Sequence, residues 1–245
     1  MSGATGAWAP RRFWTAAQVV AEEGAGFTVT LDDRPLRTPA RAPLRLPSRA
    51  LATALAAEWD AQEGRIRPET MPLTRAANAA IDRVAPQRAA VEDELAGYGE
   101  TDLLCYRAAA PAGLVARQAE AWDPLLAWAA EALGARLVTV EGVIHTPQPA
   151  PALEALRAAL ARCDAFALTA LHEMVALSGS LVIGLAAVSG HRPAEALWEA
   201  AHVDETWQAE QWGEDAEAAA LMAARRAAFL QARDFLTLSR PDRAA

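Results

Sequence analysis

The chain has 245 residues, 53% of them hydrophobic and 22% charged, which is the composition of a folded protein of one or two domains. Its net charge is −8 at pH 7, and this acidity disfavours nucleic acid as a partner, because phosphates require a basic surface. The chain has no lysine, which excludes a P-loop and any Schiff-base chemistry.

The first part of the chain predicts short strands followed by helices. Phe27–Leu31 alternates as a strand, and Asp32-Asp33 forms a two-residue loop before the return strand. Ser48 is expected to cap a helix whose apolar stripe contains Leu51, Leu55 and Trp59. The predicted elements here are strands over 27–31, 34–39 and 42–47 and helices over 49–63 and 73–84.

The remainder predicts a mostly helical region. Helices are expected over 91–99, 114–133, 152–162, 165–189, 193–212 and 214–236, with brief extended pieces over 103–106 and 137–140. Up to Arg88 there are 12 arginines and 9 acidic residues, whereas from Ala89 onward there are 11 and 22. The expected fold is α+β, with a small N-terminal domain of short antiparallel strands and helix (residues 1–87) and a larger all-α domain (residues 88–245).

The apolar stretch over 165–190 is long enough to cross a bilayer. It contains His172 and Glu173 and lacks a flanking basic cluster. We therefore expect a buried helix of a bundle and no insertion into a membrane. The N-terminus lacks the apolar core of a signal peptide. Cys105 and Cys163 lie far apart and predict neither a disulfide framework nor a zinc site.

No motif predicts a catalytic, metal or cofactor site. A zinc protease would need a second histidine four residues after His172, and Ala176 stands there. Two alternatives remain open: a hydrolase that uses Glu173 or Glu205 with a neighbouring histidine, and a module that binds a small ligand between the two domains.

The segment 198–217 concentrates three tryptophans and seven carboxylates, with no arginine between Arg192 and Arg225. On one continuous helix, a single sector of about 80° would hold Trp198, His202, Glu205 and Trp212. A buried Glu205–His202 hydrogen bond and a solvated acidic face are two structural interpretations. The functional alternative is an aromatic surface with an acidic rim that docks another protein.

Several segments together resemble a known family. They are L-D-D-R-P-L-R-T-P-A from Leu31, L-A-A-E-W-D-A-Q from Leu55, M-P-L-T-R-A-A-N-A-A-I-D from Met71, T-D-L-L-C-Y-R-A from Thr101, W-D-P-L-L-A-W from Trp122 and D-E-T-W-Q-A-E-Q-W-G-E-D-A-E-A from Asp204. In this order, the segments resemble those of the Atp-twelve family, the assembly chaperones of the F₁ sector of ATP synthase. The loop Asp32-Asp33 departs from the Asp-Gly expected there, but aspartate tolerates the left-handed conformation.

The resemblance implies a protein that is not an enzyme. It would bind the unassembled alpha subunit of F₁, prevent its aggregation and release it to the beta subunit, with no nucleotide or metal. A monomer is expected when the chaperone is free. The bacterial cytoplasm is the expected compartment, eukaryotic relatives working in the mitochondrial matrix. The predicted partner-binding residues are Glu205, Trp207, Glu210, Trp212, Glu214 and Asp215.

Overall fold

The computed structural model describes residues 11–22, 26–213 and 215–241. Their helices and short strands confirm the predicted α+β class. The described residues form two compact units. One contains the chain up to Pro86 together with the residues from Thr237 onward, and the other is Gln87–Leu236.

The first unit contains an antiparallel three-stranded sheet in the order β1-β2-β3, formed by Ala17–Glu22, Gly26–Leu31 and Arg34–Pro35. Val29 and Leu31 of β2 point into the core, as the alternating pattern predicts. The loop Asp32-Asp33 is confirmed, and Asp32 adopts a left-handed φ of 52°. β1 was not predicted, because its sequence A-Q-V-V-A-E lacks a clear alternation of apolar and polar residues.

The strand predicted over 42–47 is wrong as a continuous element. Leu46 exchanges two backbone hydrogen bonds with Phe27, of 2.9 and 2.7 Å, and this is an isolated bridge. Pro43 forms a second isolated bridge, with Arg37, so the segment changes partner instead of continuing along β2, and Pro43 and Pro47 supply no N–H donor of their own. The return strand is likewise reduced to Arg34–Pro35.

Helices α1 (Arg49–Asp60) and α2 (Pro72–Ala79, wound more loosely over Ala80–Val84) complete the first unit. Ser48 caps α1 by accepting a hydrogen bond from Leu51 N, as predicted, and its hydroxyl also donates to Leu238 O. Trp59 is half-buried and packs edge-on against Trp14, with ring centroids 5.3 Å apart.

The second unit consists of helices and a short two-stranded parallel sheet. β4 (Tyr106–Arg107) pairs with β5 (Val140–Glu141). The helices are α3 (Arg88–Tyr98), α4 (Ala112–Trp128, extended by Ala129–Leu133), α5 (Ala150–Leu160), α6 (Ala165–Ser178), α7 (Leu181–Ser189), α8 (Ala194–Ala201), α9 (Val203–Trp212) and α10 (Ala216–Ser239). α10 passes from the second unit into the first.

The single helix predicted over 165–189 is wrong, because the chain breaks into α6 and α7. Gly179 ends α6 in the left-handed conformation, with φ of 71°, and Ser180 caps α7 by accepting from Ile183 N. At Gly184 the two helices approach so closely that a Cβ would lie 2.6 Å from side-chain atoms of α6. The apolar run is therefore a tightly packed pair of helices.

Candidate functional site

His202 divides the tryptophan-rich segment into two helices. Its backbone (φ −124°, ψ 31°) leaves the helical region, so α8 ends at Ala201 and α9 begins at Val203. The helix predicted over 193–212 is therefore wrong as one piece. His202 and Trp198 are buried and stack at 3.7 Å, and His202 Nδ1 lies 2.9 Å from Trp198 O.

Because of this break, the prediction that Trp198, His202, Glu205 and Trp212 share one face of a continuous helix is wrong. Trp198 is only 4% exposed, whereas Trp212 is 79% exposed. Glu205 is exposed, so the interpretation that buries it in a hydrogen bond with His202 is wrong as well.

The inner face of α9, which we define as Asp204, Trp207 and Glu210, contacts α4. Gln118, which is buried, donates from Nε2 to Asp204 Oδ1 at 2.7 Å. Trp207 lies so close to Gly113 that a Cβ on this glycine would be 2.6 Å from the indole. These contacts fix the rotation of α9 on the second unit.

Arg117 of α4 completes the inner contact. Its guanidinium carbon lies 4.8 Å from the centre of the Trp207 ring, and Nη1 lies 2.7 Å from Glu210 Oε2. The hydrogen bond from Arg117 lowers the pKa of the Glu210 carboxyl and raises that of the guanidinium. An indole and a carboxylate three residues apart on α9 thus hold one arginine.

The outer face of α9, which we define as Glu205 and Trp212, points to solvent. The two residues are seven positions apart, so they lie within about 20° of each other around the helix and about 10 Å apart along it. Both side chains are exposed. An exposed indole of this size is unusual on a soluble surface and is typical of a docking site.

The start of α10 continues the acidic surface. Asp215 is exposed and caps α10 by accepting from Ala218 N at 2.8 Å. Glu217 is exposed, and Leu221 exposes 62% of its surface. The predicted site residue Glu214 lies outside the described residues.

The predicted site residues therefore separate by their surroundings. Trp207 and Glu210 contact α4, although Glu210 is also partly open to solvent, whereas Glu205, Trp212 and Asp215 are exposed and make no described contact with α4. The α4 residues Gly113, Arg117 and Gln118 were missed in the sequence, because they lie about 90 positions away and no motif links them to α9. Leu221 was missed because one leucine in an alanine-rich helix resembles a core position.

The surroundings of the histidines and acids do not favour a hydrolase. His172 Nε2 lies 3.3 Å from Glu94 Oε1 in an exposed pair, and Glu173 is exposed. Across residues 11–22, 26–213 and 215–241, no three His, Cys, Asp or Glu side chains are grouped as metal ligands would be. In the same part of the chain, no helix has both the length and the apolar character required to cross a bilayer.

Comparison with known proteins gives consistent matches. The family described as ATP12 chaperone protein matches residues 11–130. The crystal structure of Atp12 from Paracoccus denitrificans is 51% identical, covers 94% of this chain and 98% of its own, and superposes with a TM-score of 0.90. An Asp-to-Lys mutant of Atp12p from the same organism gives the same values. A candidate chaperone from Agrobacterium tumefaciens is 46% identical over 93% of this chain and 85% of its own, with a TM-score of 0.88.

Proposed function

Because the chain belongs to the ATP12 family of chaperone proteins, we propose that it is an assembly chaperone of ATP synthase that binds the unassembled alpha subunit of F₁. The family resemblance in the sequence is confirmed by the solved relatives from two bacteria. An unassembled subunit exposes the apolar surface of its future interface and is prone to aggregation. A chaperone that covers this surface keeps the subunit available for assembly.

The surface that we propose for this contact consists of α9 and the start of α10. The observation that carries the proposal is Trp212, a 79% exposed indole in a segment whose carboxylates Glu205 and Asp215 are also exposed. Aromatic anchors with a polar rim are typical of protein interfaces. Trp207 and Glu210 support this surface from within, because their contacts with Arg117 hold α9 in place.

Release of the subunit requires no energy source in this proposal. The beta subunit competes for the same surface of alpha, and binding of alpha to its permanent partner shifts the equilibrium by mass action. A contact with a few anchors and an acidic rim forms and dissociates quickly, which suits this exchange. Neither a nucleotide nor a metal has a role in it, and the chaperone performs no catalysis.

We also propose that the free chaperone is a monomer in the bacterial cytoplasm. Two relatives come from bacteria. Cys105 and Cys163 are both free thiols, which is typical of a reducing compartment.

Co-expression with the alpha subunit of the same organism tests the function. Wild-type chaperone is expected to keep alpha soluble and to co-purify with it. Glu205→Lys reverses a charge on the exposed outer face and is expected to weaken capture at least about tenfold without changing the melting temperature. Glu154→Lys, the same change at an exposed position of α5, is the control that captures alpha normally.

Substitution of Glu205 tests the proposed surface more specifically than substitution of Glu210, although the sequence predicts both residues as part of it. Glu210→Lys would also break the ion pair with Arg117, so a loss of capture would mix binding with displacement of α9. If alpha aggregates equally with and without the wild-type chaperone, the proposed function is wrong.

A further inference from the structure

The inner face of α9 shows how this helix binds an arginine. The guanidinium of Arg117 stacks on the Trp207 ring at 4.8 Å and pairs with Glu210 at 2.7 Å. Guanidinium suits both contacts, because it is planar enough to stack on an indole and forked enough to pair with a carboxylate. The same two chemical groups recur on the outer face, in Trp212 and Glu205.

The two faces differ in the spacing of these groups. On the inner face the indole and the carboxylate are three residues apart and meet one guanidinium. On the outer face they are seven residues apart, about 10 Å along the axis. One guanidinium cannot contact both, so the outer face suits two cations at that separation.

The charge of the surroundings favours a cationic partner. The stretch from Ala194 to Ala224 contains eight carboxylates, and its one basic residue is His202. Asp215 and Glu217, at the start of α10, are exposed and extend this negative field. Glu210 is already paired with Arg117, but an apolar partner without positive charge would leave the exposed carboxylate of Glu205 desolvated and unpaired at the interface.

We propose that the outer face of α9 binds a helix of the client subunit that carries two arginines seven positions apart. One guanidinium stacks on the Trp212 ring and the other pairs with Glu205. The proposal rests on the proposed function, since it names the part of the client that the chaperone recognises. A helix presents side chains at positions i and i+7 on one side with the same separation of about 10 Å.

Labelled alanine-rich helical peptides test the chemistry of this face directly, by fluorescence anisotropy with the full-length chaperone. A peptide with arginines at i and i+7 is expected to bind about tenfold more tightly than one with lysines there. It should also bind more tightly than a peptide with its arginines at i and i+3. Equal affinities for all three peptides would overturn the proposal.

Two variants identify the residues involved. Trp212→Ala is expected to lower affinity for the i, i+7 arginine peptide about tenfold and to remove the preference over lysine. Glu205→Gln is expected to lower affinity about fivefold. Ile144→Ala, which truncates an 80% exposed side chain elsewhere in the unit, is the matched control and should bind as wild type does. Wild-type binding by Trp212→Ala would overturn the proposal.

Capture of the alpha subunit separates this inference from the proposed function. If wild type and Trp212→Ala keep alpha soluble equally well, the inference is wrong and the chaperone function stands. If wild type fails to hold alpha, the chaperone function is wrong, and the peptides still decide what the face binds. If sedimentation shows that wild type self-associates and Trp212→Ala does not, the occupant is a second copy, which overturns the inference.

Discussion

Asp102 is a buried carboxylate that organises the second unit at the scale of single residues. It is fully buried and accepts hydrogen bonds from Leu104 N at 3.1 Å, Ser180 Oγ at 2.7 Å and Val182 N at 3.0 Å. Burial raises the pKa of this carboxyl to about 6, because loss of solvent disfavours the anion more than these hydrogen bonds favour it.

This pKa predicts an unusual dependence of stability on pH. Since the folded state binds the Asp102 proton more tightly than the unfolded state, its contribution is largest below about pH 4 and is lost as the pH rises to about 6. The shift of about two pH units corresponds to about 3 kcal/mol of unfolding free energy. Denaturant titrations of wild type and Asp102→Asn from about pH 3.5 to 7.5 check this.

The expected result is that Asp102→Asn removes the decline of stability between about pH 4 and pH 6. Glu154→Gln, which neutralises an exposed carboxylate of α5, should leave that decline in place. Identical pH profiles of wild type and Asp102→Asn would show that Asp102 titrates alike in both states.

Residue environments follow from the sequence only where the local helix is predicted correctly. Leu51 and Leu55 are buried as predicted, because Ser48 fixes the start of α1. One continuous helix predicts a common face for Trp198 and Trp212, but the break at His202 places Trp198 in the core and Trp212 in solvent. A histidine has no strong preference for ending a helix, so the sequence contains no indication of this break.

At the scale of elements, the position of α9 depends on a close approach to α4. No side chain of α9 is fully buried, so the helix is held mainly by contacts at its inner face. Gly113 permits the approach, because any Cβ there would collide with the Trp207 indole. Such an approach between segments about 90 residues apart is invisible in sequence patterns, since each helix forms without the other.

Alanine substitutions at two helical glycines test this. Gly113→Ala is expected to displace Trp207 from Arg117 and to destabilise the protein by about 1–2 kcal/mol, with faster amide exchange in α9. Gly97→Ala in α3 places its Cβ where no atom lies within 4 Å, and is expected to stabilise by about 0.5–1 kcal/mol. Equal stabilisation by both changes would contradict the role of Gly113.

At the scale of the whole molecule, the predicted α+β class is confirmed. It could be predicted because the apolar residues alternate as in strands near the N-terminus and repeat with a helical period in the rest of the chain. The two-domain division predicted at residue 87 remains a proposal. The residues from Thr237 onward cluster with the first unit, through contacts such as that of Ser48 with Leu238 O. Pairings between distant segments of this kind have no sequence pattern of their own.

Removal of the residues from Thr237 onward tests this long-range contribution. The truncated protein is expected to lose protection against amide exchange in β2 and α1, because the buried Ser48 hydroxyl loses its acceptor. α6 and α7 are expected to keep their protection. Mass spectrometry of peptides after exchange distinguishes the two regions, and equal protection in both proteins would contradict this role of the C-terminal segment.

The passage of α10 into the first unit also sets an order of events on the ribosome. The sheet and α1 leave the exit tunnel before the second unit, but the residues from Thr237 onward emerge only after about 150 residues of the second unit. At about 5–20 residues per second, translation of that stretch takes about 8–30 s. Synthesis of the first unit therefore begins before that of the second and is completed after it, and a nascent chain stalled before Thr237 would hold the first unit unfinished.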